Sequence, residues 1–311
     1  MYMRQSGISV GTLVALSVCL LMLPGCASVK AASAFATQTS RLTTVVKTEF
    51  AQLDALCTEQ AVMNIVIANR SDDAPLDSCK QYKAAQGRLA GLTLAVLDGY
   101  GKALSSLADD KAFDLSSDVR NIGSKLQGLA DKDGQALLNA TQAGALTRLA
   151  SVLLDVAASA QRSAALERMV QEAPNLRITG HLLKSFFVAA NDAPARRVNA
   201  PYANLLTIIA GAATSSERLL AGPALRTAEP IRTAELLRTI RGHKLLLQPR
   251  SDGGPGSVPG KIAAAIDAWQ SALDTFSTDA LKPDPRVLFS RLKQLQDAAS
   301  VAQDAVDGKS E

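Results

Sequence analysis

The chain has 311 residues, among them four cysteines and two histidines, whose spacing can indicate acylation, a disulfide, a metal site or a nucleophile. They are Cys19, Cys26, Cys57, Cys79, His181 and His243. A cysteine can be acylated, form a disulfide, bind a metal or act as a nucleophile, in each case mainly as the thiolate. Zinc needs three or four ligands with local spacing, and neither histidine has such neighbours. We therefore predict no metal site and no cofactor.

The segment before Cys26 has the three parts of a secretion signal. Arg4 supplies a positive charge, residues 8–23 form an uncharged and mostly apolar run of 16 residues, and small residues follow directly. A membrane-spanning helix needs about 18 or more apolar residues, and this run is shorter and ends in Pro-Gly. The pattern favours a signal peptide over residues 1–25, with a transmembrane anchor as the alternative.

The residues Leu23, Gly25 and Cys26 resemble the bacterial lipobox, in which a peptidase cuts before a cysteine that already carries a diacylglyceryl group. Pro24 departs from the alanine or serine that is usual there. The resemblance implies that the mature protein begins at a lipidated Cys26. Because Ala27 is not aspartate, it also implies delivery to the outer membrane, on the periplasmic face. More than one acyl chain gives stable anchoring, so the membrane is the first predicted partner.

Cys57 and Cys79 remain as an even pair in a compartment that permits disulfides, and we predict that they are bonded. Two buried thiols or a catalytic cysteine are the alternatives. Residues 58–69 are predicted to be helical, so Cys79 must return about 20 Å along that helix. We expect an extended return of the chain, or a helix break after Cys57.

Charge is distributed unevenly along the chain. Residues 51–140 contain nine basic and twelve acidic residues, whereas residues 194–250 contain nine basic and three acidic residues. We call residues 194–250 the basic segment. Its candidate surface residues are Arg226, Arg232, Arg238, Arg241 and Lys244.

The basic segment suits contact with anionic lipid, lipopolysaccharide or an acidic protein. The alternatives are a solvated surface, or charge pairing with the acidic first half. Nucleic acid is not a predicted partner, because the compartment excludes it and no aromatic residues are interleaved with the basic ones.

Two short motifs resemble a metal site and a catalytic site, but a turn with a helix cap explains the first and chance explains the second. Residues 131–134, Asp-Lys-Asp-Gly, resemble the start of a calcium loop, but the glycine comes early and no glutamate stands at the twelfth position. Ser290 and Lys293 fit S-x-x-K without the companion motifs of penicillin-recognising enzymes. No P-loop, dinucleotide fingerprint or G-x-S-x-G occurs, so the sequence gives no positive sign of an enzyme.

The composition predicts helices, because apolar residues make up 47% of the chain and aromatic residues only 4%. Apolar periodicity and helix-start signals give the helical segments. They are residues 40–69, 77–107, 114–130, 135–173, 175–190, 262–276 and 284–306, with further helices starting near Pro201 and Pro230. The small residues Ala84, Gly87, Gly91 and Ala95 suggest close approach of another helix, or mere tolerance of glycine.

The predicted fold is all-α, a bundle of long antiparallel helices. We expect a tether over residues 26–35 and a single helical domain over residues 36–306, with a flexible Gly/Pro loop at 251–260. The function predicted from these features is that of a non-enzymatic interaction or structural component of the envelope, with a protein partner there. The alternative is a carrier of an apolar or anionic lipid-like ligand in a cavity of the bundle, and an enzyme of unrecognised type comes third.

Overall fold

The structure is a computed structural model. It describes residues 10–67, 72–109, 117–126, 129, 136–159, 161–188, 193–222, 230–251, 254–279 and 285–309. Within helices, some side chains, including those of residues 10–28, are not described. The described residues are overwhelmingly helical and form no strand, which confirms the all-α fold.

The helices follow one another with short connections. In chain order they are α1 (Val10–Ile67), α2 (Ala74–Tyr82), a π-helical turn (Lys83–Gly87), α3 (Arg88–Asp109), α4 (Ser117–Arg120), α5 (Ile122–Leu126), α6 (Ala140–Ala157), α7 (Arg162–Gln171), α8 (Ala173–Ser185), α9 (Ala193–Ala221), α10 (Pro230–Ser251), α11 (Val258–Asp279) and α12 (Pro285–Val306). Helix α1 is the longest, and it packs against α2, α3, α9, α11 and α12. The bundle is therefore organised around one central helix.

The first turns of the bundle contradict part of the predicted tether. Ala31, Ala32 and Phe35 are buried, and the ring of Phe35 stacks on Trp269 and Phe276 of α11 at centroid distances of 6.0 and 5.2 Å. Small residues suggested a flexible linker, but alanine also lets two helices approach closely. One hydrophobic core accordingly extends from residue 31 to residue 306.

Two predicted helices are shorter or more broken than expected. The predicted helix over residues 135–173 is divided into α6 and α7, because Asn139 caps α6 through the amide of Gln142 and the α-helix ends at Ala157. The predicted helix over residues 114–130 has only the short α4 and α5 in its described part. The expected start at Pro201 is wrong as well, since α9 already begins at Ala193.

The predicted loop over residues 251–260 is too long at both ends. Ser251 ends α10, and α11 begins at Val258. The hydroxyl of Ser257 accepts a hydrogen bond from the amide of Gly260 at 3.1 Å, which caps the new helix. Pro259 then occupies the first turn, where its missing N–H has no consequence.

Close helix approach occurs at glycines other than the predicted ones. An added Cβ would meet no atom of another element within 4 Å at Gly87 or Gly91. At Gly101 of α3 it would lie 3.1 Å from Ser40 Oγ of α1, and at Gly180 of α8 it would lie 2.9 Å from the indole of Trp269. The tight contacts of α1 with α3 and of α8 with α11 therefore depend on these two glycines.

Candidate functional surface of the α9–α10 pair and its junction with α1

The Cys57–Cys79 disulfide is present and joins α2 to α1, with the two Cα atoms 6.0 Å apart. The expected helix break after Cys57 is wrong, and in the described part of the expected return, residues 74–78 are helical and not extended. Helix α1 continues to Ile67, and α2 itself runs back along it. The ion pair between Lys83 and Asp54 at 2.5 Å shows that the two segments are antiparallel.

Cys26 lies in α1, in the part whose side chains are not described. The described bundle begins close to it, since Ala31 is already buried. From Cys26 to Glu59, where α10 contacts α1, the helix advances about 50 Å at about 1.5 Å per residue. Cys26, where lipidation is predicted, and the surface of α10 therefore lie at opposite ends of the bundle.

Helices α9 and α10 form a pair that packs on the far end of α1. A separate small core holds them there, made of Met63, Ala213, Leu220 and Ile240. The hydroxyl of Ser216 donates to Asn64 Oδ1 at 2.9 Å, which adds a polar link between α9 and α1. The two helices together contain eight lysines and arginines and two glutamates, whereas the whole chain has a net charge of +4.

The structure places the predicted basic residues in different environments. Arg241 and Lys244 lie side by side, and both pair with Glu217 of α9 at 3.4 and 3.3 Å. Arg238 is exposed on the same helix. Arg232 is also exposed, but it lies on another side of α10, and Arg226 lies outside the described residues.

Arg218 is a member of this surface that the sequence interpretation did not single out. It follows Glu217 on α9 and is exposed. Glu217 meets α10 at Arg241 and Lys244, so this turn of α9 borders the exposed side of α10. We call the four residues the outer basic surface: Arg218, Arg238, Arg241 and Lys244.

Glu217 is an acidic member of this region. Hydrogen bonds from Lys244 and then Arg241 hold its pKa below the usual range, so it is ionised at neutral pH. Glu235, exposed on α10 three residues before Arg238, is a second carboxylate on this side, so four cations against two carboxylates leave the outer basic surface with a net positive charge. The acidic partner of Arg241 and Lys244 therefore comes from the basic segment itself and not from the acidic first half.

The junction between α10 and α1 contains one further ion pair and one close histidine–carboxylate contact. Nε2 of His243 lies 2.6 Å from Glu59 Oε2, and Arg250 binds Glu49 through Nε at 3.0 Å. His243, Arg250 and Glu49 are all buried, and His243 Nδ1 has no hydrogen-bond partner among the described residues. These pairs fix the orientation of α10 on α1.

A cavity of about 260 Å³ opens beside this junction. It lies between α1, α10 and the end of α12, and its lining includes Glu59, His243, Arg250 and Asp307. A carrier of an apolar ligand requires a mainly apolar pocket within the bundle. Apolar side chains, among them Leu56, Leu246 and Val306, line the cavity together with these polar ones, but it is open at the edge of the bundle and not enclosed within it, so it adds no support to the carrier hypothesis.

The remaining candidate residues do not converge on a site. His181 is exposed on α8, and Ser290 and Lys293 are exposed on α12, where Lys293 pairs with Asp297 at 3.3 Å. Residues 131–134 lie outside the described part of the chain. Among the residues that the structure describes, no group of three or more histidine, cysteine or acidic side chains is placed to hold a metal ion.

Comparison with known proteins found no match to a protein family, to a characterised protein or to a solved structure. Within the described ranges, none of the helices combines the length and the apolar character needed to span a membrane.

Proposed function

We propose that this chain is a lipoprotein of the bacterial cell envelope, attached through lipids on Cys26 to the periplasmic face of the outer membrane. It acts there without catalysis, through the surfaces of its helical bundle. The signal-like segment and the residues Leu23, Gly25 and Cys26 support the anchor. The Cys57–Cys79 disulfide agrees with an oxidising compartment.

One structural observation supports the proposed interaction role. A single helix, α1, connects the position of Cys26 to the α9–α10 pair about 50 Å away. The α9–α10 pair at the far end of that helix bears four exposed cations and two carboxylates, while the described cavity and histidines lack the arrangement of a nucleophile, a base and an oxyanion site. The geometry suits a protein that holds a charged surface at a fixed distance from its anchor.

The membrane to which the protein is delivered is tested by separating inner and outer membranes by density. We expect the wild-type protein in the outer-membrane fraction and the Ala27→Asp variant in the inner-membrane fraction. Ala27→Ser is the matched control and should stay with the outer membrane. Recovery of all three proteins in the soluble fraction would contradict the anchor, and recovery of the wild-type protein in the inner-membrane fraction would contradict the proposed membrane.

The non-catalytic role is tested with the purified chain. A hydrolase activity that co-purifies with the protein, and that is lost when His243 is replaced by asparagine in a folded variant, would contradict the proposal. We expect no such activity, because His243 is buried and already paired with Glu59.

A further inference from the structure

The outer basic surface also exposes large apolar side chains. Ile231 is 78% exposed and Leu245 is 70% exposed, both on α10. Ile231, Arg238 and Leu245 are seven residues apart, and seven steps of 100° return a helix to within 20° of the same direction. They therefore form one stripe along the outer side of α10.

This stripe is distinct from the side of α10 that faces the bundle. Thr233, Ile240, Leu247 and Arg250 are buried on that inner side. On the outer side, the exposed Ile231 and Leu245 flank Arg238, so apolar and cationic groups are presented together on one surface. Removing such apolar groups from water is favourable in free energy, and the cations next to them are attracted electrostatically to phosphate headgroups.

The charge of the outer basic surface favours an anionic binding partner. Arg218 and Arg238 pair with no carboxylate within the described part of the chain, and Arg241 and Lys244 share only Glu217. Arg250, the other cation on the second half of α10, is neutralised by Glu49 and turned inward. The net positive charge on this side of the molecule is thus directed outward, next to Leu245.

We infer that the outer basic surface, with Leu245 and Ile231, binds anionic phospholipid headgroups and gives the protein a second membrane attachment. This inference rests on the proposed function for the first attachment, at Cys26. The two attachments are about 50 Å apart along α1, so a molecule held at both by one leaflet lies with α1 along the membrane plane. A lipid chain together with a basic patch is a stable combination of membrane signals.

The test uses a tryptophan reporter on the full, lipidated chain. Leu245→Trp places an indole in the surface, and the protein is reconstituted into vesicles of brominated phosphatidylcholine, with or without brominated phosphatidylglycerol. The native Trp269 is buried and gives a constant background. Val301→Trp, at a 52% exposed position of α12, is the matched control.

We expect the indole at position 245 to shift to the blue and to be quenched only when phosphatidylglycerol is present. Raised salt should weaken the quenching, because ions screen exposed charges. Replacing the four cations by glutamine should reduce the quenching to the level of the position 301 control, since each cation near an anionic membrane contributes about fivefold to binding. That variant is Arg218→Gln, Arg238→Gln, Arg241→Gln and Lys244→Gln.

A second four-residue variant controls for loss of charge alone. It neutralises exposed cations elsewhere on the bundle, and we expect it to keep the quenching at position 245. Its changes are Arg88→Gln, Arg168→Gln, Arg291→Gln and Lys293→Gln. Circular dichroism and thermal unfolding establish that both variants are folded before the vesicles are added.

Equal quenching at positions 245 and 301 in phosphatidylglycerol vesicles would overturn the inference. So would a response at position 245 to soluble polyglutamate but not to the vesicles, because that result would assign the surface to an acidic protein. The mass of the N-terminal peptide reports lipidation of Cys26 in the same sample. The peptide mass reports the anchor and the tryptophan quenching reports the second attachment, so failure of one can be distinguished from failure of the other.

Discussion

Arg250 and Glu49 join α10 to α1 by a bidentate contact, with Nε 3.0 Å from Oε1 and Nη2 3.0 Å from Oε2 of the carboxylate. Arg250 is 3% exposed and Glu49 is fully buried. The same guanidinium donates to the carbonyl oxygens of Leu246 and Val306, so it ties together α1, α10 and α12. This contact, together with the small core around Met63 and Ile240, holds the α9–α10 pair on α1.

Arg250→Met should lower the free energy of unfolding by about 3–5 kcal/mol, because it removes the guanidinium that binds the buried carboxylate of Glu49 through two hydrogen bonds. Combining it with Glu49→Leu should restore most of that loss, since a buried pair replaced by apolar residues is often neutral. Urea unfolding of the two single variants and the double variant measures both effects. Lys293→Met, in an exposed pair, should change stability by less than about 1 kcal/mol. A loss of that small size for Arg250→Met would contradict the structural role.

Replacing Cys57 and Cys79 together by serine should destabilise the protein by about 3–4 kcal/mol, because the bond closes a loop with a sequence separation of 22. The wild-type protein in excess reductant should unfold at the same urea concentration as the double variant. A wild-type protein that reductant does not affect would show that the bond contributes nothing to stability.

Gly180→Ala should destabilise the protein by about 1–3 kcal/mol, because its new methyl group would lie 2.9 Å from the indole of Trp269 and 2.8 Å from Gln270 Nε2. Gly144→Ala is the matched control in an exposed stretch of α6, where nothing lies within 4 Å. That change should stabilise by about 0.5–1 kcal/mol through helix propensity alone. Thermal unfolding compares the two, and effects of the same sign would contradict the packing of α8 on α11.

Burial, and then the charge of Glu172, raise the pKa of Tyr100 well above its ordinary value. The unfolded chain ionises this phenol near pH 10, so the folded state holds more protons above that pH. The contribution to stability is complete below about pH 10 and is lost as the pH rises further, by up to about 1.4 kcal/mol per pH unit.

Tyr100→Phe removes this dependence and also the hydrogen bond that the hydroxyl donates to the carbonyl of Met169 at 2.8 Å. The variant should therefore be less stable than the wild type at pH 8, by about 1 kcal/mol, and the difference should narrow or reverse by pH 11. Urea unfolding at the two pH values measures it. A constant difference would mean that Tyr100 ionises normally in the fold.

Periodicity was enough to predict the helices and the all-α fold, because a buried stripe repeats every three or four residues whatever the tertiary partner. It was not enough to predict where helices break. Asn139 starts α6 through a local cap that an apolar pattern does not register. Phe35 was assigned to a tether because its partners, Trp269 and Phe276, come more than 230 residues later.

The same distinction applies to the candidate surface. Net charge located the basic segment, and Arg238, Arg241 and Lys244 do lie on an exposed side. Charge alone could not separate Arg250, which turns inward to Glu49, from its neighbours, nor could it add Arg218 of α9. Those assignments depend on which side of each helix packs on α1, which is decided by contacts distant in sequence.

The central claim is that Cys26 carries the lipid anchor. It is tested most directly by labelling cells with a clickable fatty acid and fractionating the wild-type, Cys26→Ala and Cys19→Ala proteins. We predict that the wild type and Cys19→Ala are labelled and sediment with membranes, because Cys19 lies in the segment that is removed. Cys26→Ala should carry no label, and fatty-acid labelling that survives this substitution would contradict the account.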